Sequence, residues 1–138
     1  MMGTFVLKKK MKAIKPHSYI SWHAKGLLYE GQSLYKEALV AFSNALAIEP
    51  NHVPSMISIA SVLRQIGEKS LPAARNFLTD ALQLEPTNHM AWFSLGMVHK
   101  MEGFVQKAAD CFQAAYLLQE SAPVEIFSSV SGHLQRTL

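Results

Sequence analysis

The chain has 138 residues, of which 49% are hydrophobic and 17% are charged. This balance can bury the core of one domain and is too apolar for a disordered chain. No stretch approaches the roughly 18 uninterrupted apolar residues of a membrane-spanning helix. The opening MMGTFVLKKK places its charges after its apolar residues, unlike a secretory signal. The single cysteine, Cys111, cannot form an internal disulfide, so we expect a reducing, intracellular setting.

The positive charge of the chain is concentrated at its start. The net charge is +3, yet the first 18 residues contain five lysines and no acidic residue, which leaves the other 120 residues with a net charge of −2. The five are Lys8, Lys9, Lys10, Lys12 and Lys15. The basic pI of 9.1 therefore describes the N-terminal segment and not the remainder.

An internal repeat organises the chain from Trp22 to Pro50. The same residue types recur 70 residues later, and a weaker copy with a two-residue insertion at 68–71 lies between them. The matched positions are Trp22, Met56 and Trp92; Gly26, Ala60 and Gly96; Tyr29, Leu63 and His99; Ala38, Ala74 and Ala108; Phe42, Leu78 and Phe112; Ala45, Ala81 and Ala115. This spacing resembles the tetratricopeptide repeat, a helix-turn-helix of about 34 residues.

The fold class predicted is therefore all-α, a solenoid of helical hairpins with about three repeats between two terminal helices. We expect a basic N-terminal half-repeat at 1–18, repeats at 19–52, 53–88 and 89–121, and a C-terminal capping helix and tail at 122–138. The predicted helices inside the repeats span 20–30, 34–48, 54–65, 71–84, 90–101 and 105–118.

The repeated residue types have physical reasons. The small residue of each first helix, such as Gly26, allows the second helix to approach closely. In the second helix, Ala38, Phe42 and Ala45 are spaced to form one apolar stripe. Pro50 and Pro86 follow the second helices and stop them, because proline has no N–H to donate.

The turn of the first repeat departs from the pattern. Ser33 occupies the position where glycine is usual, and Gly31 stands two residues earlier. A left-handed Ser33 would cost on the order of 1 kcal/mol. We therefore predict that Gly31 ends the first helix early.

The two ends of the chain carry apolar spacing of their own. Residues 5–14 fit the second helix of an earlier repeat, with Leu7, Met11 and Ile14 facing Trp22 and the lysines facing solvent. A basic amphipathic helix for calmodulin or an anionic surface is the alternative to this half-repeat cap. After Pro123, the spacing of Phe127, Val130 and Leu134 predicts the capping helix.

No catalytic constellation is present in the sequence. It has no glycine-rich phosphate loop, no metal-spaced cysteine pair and no serine in a strand-turn-helix elbow, so we expect no enzymatic activity, cofactor or metal. The histidines are scattered. His99 takes the place of a tyrosine, and we expect it to be a packing residue.

Binding in such stacks occurs on the concave face, which the first helices line. The predicted partner-binding groove consists of His23, Leu27, Ile57, Ser61, Arg64, Met90, Phe93, Met97, Lys100 and Met101. Tetratricopeptide domains that bind chaperone C-terminal carboxylates have a Lys, Asn and Arg clamp at the positions held here by His23, Leu27, Ser58, Met90 and Ser94. The clamp is missing, and the remaining Met and Phe side chains favour an apolar helix or extended segment.

A closer resemblance covers about 85% of the chain. The stretches AIKPHSYISWHAKGLLYE, LYKEALVAFSNALAIEPNHVPSM and LTDALQLEPTNHMAWFSLGMVHK resemble the C-terminal part of the plant No Pollen Germination-related proteins, which are similar to the animal tetratricopeptide repeat protein seven family. The resemblance implies a cytoplasmic scaffold that binds calmodulin. It also implies a subunit that helps to hold a phosphatidylinositol 4-kinase at the plasma membrane. Such proteins are several times longer than this chain.

Two alternatives to this scaffold come from the ends of the chain. The basic N-terminus would bind an anionic membrane or nucleic acid, with steep salt dependence. A homodimer through the exposed half-repeat is the other.

Overall fold

The computed structural model describes the backbone of residues 18–137 and the side chains of residues 18–121. Those residues form α1 (Ser18–Gly31), α2 (Tyr35–Ile48), α3 (Val53–Ile66), α4 (Leu71–Leu84), α5 (His89–Met101) and α6 (Val105–Thr137). The range 18–137 contains no strand, and the predicted all-α stack of helical hairpins is confirmed. The half-repeat helix predicted at 5–14, with its lysines, lies outside the described residues, as do the side chains of Phe127, Val130 and Leu134.

Local signals in the sequence set the helix starts. Pro54 and Pro72 each fall in the first turn of a helix, where the missing N–H costs no hydrogen bond. Asn88 caps α5, because its side-chain oxygen accepts a hydrogen bond of 3.0 Å from the backbone N–H of Ala91. The predicted helix bounds inside the repeats agree with the structure to within about two residues, except at the end of α6.

Each first helix packs against the second helix of its own hairpin through a paired contact. A Cβ atom built on Gly26 would lie 2.4 Å from Cε1 of Phe42, and one on Gly96 would lie 2.6 Å from Cε1 of Phe112. The Phe ring therefore fills the space that a side chain would need. In the second hairpin the same two positions hold Ala60 and Leu78. Alanine is larger than the glycine of the other hairpins, and leucine is smaller than their phenylalanine, so the two differences compensate.

The turn of the first repeat contradicts the prediction for Gly31. Helix α1 runs through Gly31, and Ser33 has a left-handed φ of 61°. The N–H of Ser33 donates to the carbonyl of Glu30, and the N–H of Leu34 donates to that of Tyr29, both at 2.9 Å. These two bonds form a Schellman turn, which satisfies the last carbonyls of the helix and outweighs the strain at Ser33. The third repeat forms the same turn around Gly103, with φ 86°.

Two further features lie between and beyond the hairpins. The two-residue insertion forms a 3-10 helix, Glu68–Ser70, which leads directly into α4. The break predicted before Pro123 is absent, since α6 continues without interruption for 33 residues to Thr137. The prediction took Pro123 as a helix start. A proline inside a helix removes one hydrogen bond, and here this loss does not end the helix.

The hairpins stack through buried contacts between neighbouring repeats. Phe42 of α2 packs with Ile59 and Val62 of α3, and Leu78 of α4 packs with Leu95 and Val98 of α5. The first helices also contact one another, α1 with α3 and α3 with α5. One continuous face of the stack is therefore made of first-helix residues, as the repeat pattern predicts.

Candidate functional site

The predicted groove residues separate into an apolar set and a packed or polar set. Leu27, Met90, Phe93 and Met101 expose between 43% and 53% of their surface. These four residues, the exposed apolar row, lie on the first helices at the two ends of the stack. Large side chains this exposed favour a binding surface when several lie on one face.

The middle of the face is polar. The hydroxyl of Ser61 donates to Oε2 of Glu30 at 3.0 Å, and the amide of Gln65 donates to the same oxygen at 2.8 Å. These bonds connect α1 with α3. Arg64 of α3 is half-buried and Lys100 of α5 is exposed, so the face also carries two cations.

Two predicted apolar groove residues are more buried than the exposed apolar row. Ile57 is half-buried against two apolar clusters of the core. Met97, also predicted for the groove, is half-buried on α5. The sequence pattern alone could not separate these two from the exposed row, because both belong to the same helix faces.

His23 belongs to a ring cluster at the junction of the first two repeats. Its Nε2 lies 3.2 Å from Oγ of Ser58, and its ring lies 5.1 Å from that of His52 and 5.4 Å from that of Phe42. Burial, and then the neighbouring His52, lowers the pKa of His23. Burial likewise lowers the pKa of His52, against the opposing effect of Glu49 and Glu85. Both rings are therefore held in a place that disfavours their protonated forms.

The five positions of the chaperone-tail clamp carry no cation here. His23 is engaged with Ser58, while Leu27 and Met90 are exposed apolar residues. A carboxylate placed between these side chains would lose water and gain no positive partner. The geometry at these positions suits apolar groups.

The sequence reasoning missed an apolar groove at the end of the third repeat. Met90 and Phe93 of α5 form one wall, and Phe112, Ala115 and Tyr116 of α6 form the other. The groove has a volume of about 430 Å³, and His89 and Gln119 also line it. The rings of Phe93 and Phe112 lie 5.5 Å apart. The repeat register could have found it, since these residues match positions that the next repeat covers in repeats one and two.

A second open surface lies at the other end of the stack. Trp22 and Tyr29 of α1 and Val40 and Ala41 of α2 line it. The ammonium of Lys25 lies 5.3 Å from the ring centroid of Trp22 and 5.9 Å from that of Tyr29, so the cation packs over both aromatic faces. The sequence predicts that residues 5–14 pack near Trp22, a prediction that the described residues do not test.

His99 contributes to an ionic contact between repeats. Arg75 of α4 donates to Oε2 of Glu102, and Nδ1 of His99 lies 3.6 Å from the other carboxylate oxygen. Burial lowers the pKa of His99, and Glu102 acts in the opposite direction. The ring also lies 6.3 Å from that of Phe104, which agrees with the expected packing role.

Two other features were sought in the described part of the chain, a metal-binding cluster and a membrane-spanning helix. Among those residues no group of three or more His, Cys, Asp or Glu could hold a metal ion. No helix there is both long and apolar enough to cross a membrane.

Relatives share most of this chain but are much longer. Protein NPGR1 of Arabidopsis thaliana is 48% identical over 119 residues, which is 86% of this chain and 17% of that protein. Protein NPG1 of the same plant is 41% identical over 128 residues, 91% of this chain and 18% of the relative. Human tetratricopeptide repeat protein 7A is 35% identical over 119 residues, 86% of this chain and 14% of its own. The chain thus spans less than a fifth of each. No protein-family model matches it.

Solved structures with the same fold include two tetratricopeptide domains of RPAP3 proteins. The first such domain of human RPAP3 has a TM-score of 0.72 and 16% identity, over 90% of this chain and all of that one. The first domain of Spaghetti (RPAP3), bound to the HSP90 peptide SRMEEVD, has a TM-score of 0.71 and 17% identity, over 78% and 83% of the two chains. At such low identity these likenesses show the fold alone.

Proposed function

We propose that this chain, a tetratricopeptide repeat protein that resembles the NPG-related proteins, is a binding module whose concave face takes an apolar segment of a partner protein. The observation that carries the proposal is the exposed apolar row, since Leu27, Met90, Phe93 and Met101 each lose only about half of their surface to the fold. Covering them would remove apolar surface from water, at about 25 cal/mol per Å². No catalytic step is part of the proposed function.

The residues of the concave face also favour one type of ligand over another. The HSP90 peptide seen with Spaghetti (RPAP3) ends in EEVD, in which three of the four residues are acidic. At the clamp positions this chain has His23, Leu27, Ser58, Met90 and Ser94, none of which carries a fixed positive charge. An acidic tail is therefore a poor ligand. A partner helix with an apolar face fits better, with Arg64 and Lys100 left for acidic residues at its edge.

Calmodulin is the partner that the resemblance to the NPG-related proteins implies. Its methionine-rich lobes bind amphipathic segments, and two parts of this chain offer apolar and basic side chains together. One is the exposed apolar row with Arg64 and Lys100. The other is the N-terminal segment with Lys8, Lys9, Lys10, Lys12 and Lys15. A role in holding a phosphatidylinositol 4-kinase at the plasma membrane is proposed for the longer protein, of which this chain would supply one surface.

Calorimetry with calmodulin, in calcium and in chelator, tests the proposal. The row variant is Leu27→Ala with Met101→Ala, and its matched control is Val40→Ala with Leu117→Ala, which truncates two residues of the second helices that are 60% and 57% exposed. We expect calcium-dependent binding that weakens at least tenfold in the row variant and less than twofold in the control.

A third variant, in which the four residues Lys8, Lys9, Lys10 and Lys12 are changed to Gln, separates the two surfaces. If it abolishes binding, and binding falls steeply with salt, the basic segment is the site and the concave face is not. Anionic vesicles titrated with the same variant then test the membrane alternative. If calmodulin binds the wild-type chain neither in calcium nor in chelator, the calmodulin proposal is wrong.

A further inference from the structure

The apolar groove at the end of the third repeat is the third copy of a surface that occurs twice within the stack. We call these surfaces seats. The first is walled by His23, Phe42 and Leu46, the second by Ile57, Leu78 and Leu82, and the third by Phe93, Phe112 and Tyr116. Helix α3 covers the first seat and α5 covers the second. Each occupant is the first helix of the next repeat, running back along the preceding second helix.

Within residues 18–121, no returning helix covers the third seat. After α2 and α4 the chain turns back within four residues, at 49–52 and 85–88. At the matching point after Gln119 it does not turn, since α6 continues to Thr137. The 16 residues at 122–137 therefore extend the helix by about 24 Å and form no returning helix.

The sequence of that extension stands in register with the helices that fill the other seats. Residues 123–135 follow α5 by one repeat of 34 residues. Ile59 and Val62 cover Phe42, and Leu95 and Val98 cover Leu78. The next pair in register is Ser129 and Gly132, opposite Phe112.

Size complementarity supports this match. Phe93 is larger than His23 and Ile57, the residues at its position in the first two seats. Tyr116 is larger than Leu46 and Leu82, and Phe112 is at least as large as Phe42 and Leu78. Ser129 and Gly132 are smaller than any of their counterparts. A larger wall facing a smaller occupant conserves the total volume, which is the condition for a well-packed core.

We propose that two copies of this chain pair by exchanging residues 123–135, each segment lying in the third seat of the other copy. The two α6 helices would run antiparallel about a twofold axis near Ser121, the midpoint of Val105–Thr137. Every seat in the stack is then filled by the type of helix that fills the first two. Exchange of an identical element is a low-cost route to a symmetric dimer, because the contacts are those of the ordinary repeat.

The matching contact in the first seat identifies the residues for a test. Leu46 packs there against the cluster that contains Val53 and Met56, and the positions that match Leu46 and Met56 in the third seat are Tyr116 and Ile126. One copy carries Tyr116→Cys and the other Ile126→Cys, both with Cys111→Ala to remove the native thiol. The two are unfolded in urea, refolded together and oxidised. Gln113→Cys replaces Tyr116→Cys in the control, because Gln113 is located on α6 and does not line the seat.

We expect wild-type chain at about 50 μM to elute with twice its mass of 15.3 kDa in light scattering. The mixed sample should give a disulfide-linked dimer that forms at least tenfold faster than in the control. A monomeric wild-type chain overturns the proposal. So does a dimer with no 116–126 link, which would place the contact elsewhere, for example on the stripe of Leu7 and Met11. The exchanged segment would cover Met90 and Phe93 of the exposed apolar row and would leave Leu27 and Met101, which do not line the third seat, open to a partner. Neither measurement depends on calmodulin, so the outcome of this test is independent of the outcome for the proposed function.

Discussion

Replacing Gly26 by alanine should destabilise the protein, although glycine is the poorer helix former. The new Cβ would lie 2.4 Å from Cε1, 2.6 Å from Cδ1 and 2.8 Å from Cζ of Phe42, where ordinary contacts begin at 3.4 Å. The ring must therefore move by about 1 Å, yet Phe42 is 0% exposed and packs with Ile59 and Val62. Overpacking of this kind costs about 1–3 kcal/mol, and the better helix propensity of alanine returns about 1 kcal/mol.

The expected net loss in the free energy of unfolding is the difference between these two terms, up to about 2 kcal/mol. Urea unfolding followed by circular dichroism would show a lower midpoint at an unchanged m-value. Gly31→Ala is the matched control, since it lies in the same helix with nothing within 4 Å of its added Cβ, and we expect it to be neutral or slightly stabilising. Adding Phe42→Leu to Gly26→Ala recreates the Ala60–Leu78 pair and should recover most of the loss. A Gly26→Ala variant as stable as Gly31→Ala would refute the steric argument.

Three other predictions concern the turn, the inter-repeat ion pair and the ring cluster. Ser33→Gly should raise the free energy of unfolding by about 0.5–1 kcal/mol, and the urea midpoint with it, because glycine adopts φ 61° without strain. An unchanged or lower midpoint would count against a strained Ser33. Glu102→Gln should cost about 0.5–1 kcal/mol, a modest value because solvent screens the 38% exposed side chain of Arg75; unfolding in low and high salt measures it, and equal stability would mean that the pair contributes nothing. The lowered pKa values of His23 and His52 mean that the unfolded chain binds more protons than the folded one, so their contribution to stability is complete above pH 6.5 and is lost as pH falls through the folded pKa values. The urea midpoint should accordingly drop between pH 7.5 and 5, with a shallower drop in a variant that has both histidines changed to Gln; parallel pH profiles would contradict this assignment.

The sequence predicts most of the fold because the same helical-hairpin pattern occurs three times along the chain. A weak copy such as Met56 and Ala60 is recognised through its neighbours, and Pro50 and Pro86 mark where the second helices end. The turn at Ser33 was mispredicted for the opposite reason. Serine disfavours the left-handed conformation that Ser33 adopts, whereas the two backbone hydrogen bonds of the turn require that conformation. Cooperative backbone bonding of this kind is not visible in residue types.

The candidate site was less predictable than the fold. Residue pattern places Ile57 and Phe93 at equivalent positions of their helices, yet Ile57 packs into the core and Phe93 is 50% exposed. The two positions differ because the first helix of the next repeat packs beside Ile57, whereas no later first helix covers Phe93 in the part of the chain whose side chains are described. For the third repeat, the path of α6 beyond Ser121 determines whether Phe93 is covered. The sequence prediction placed a helix start at Pro123, and the helix has no break there.

The contact between Gly26 and Phe42 also affects how natural variants of this chain should be judged. Gly26 and Phe42 fit together as a pair. The pair at the same positions of the second hairpin, Ala60 with Leu78, differs from it at both residues. A single change at either position gives a clash or a void, so drift from one pair to the other passes through a less stable protein. With a typical stability of about 5–15 kcal/mol, such a step is survivable but not neutral. A change from glycine to alanine or serine here would look harmless on a helical wheel, and it should instead be ranked with substitutions in the buried core.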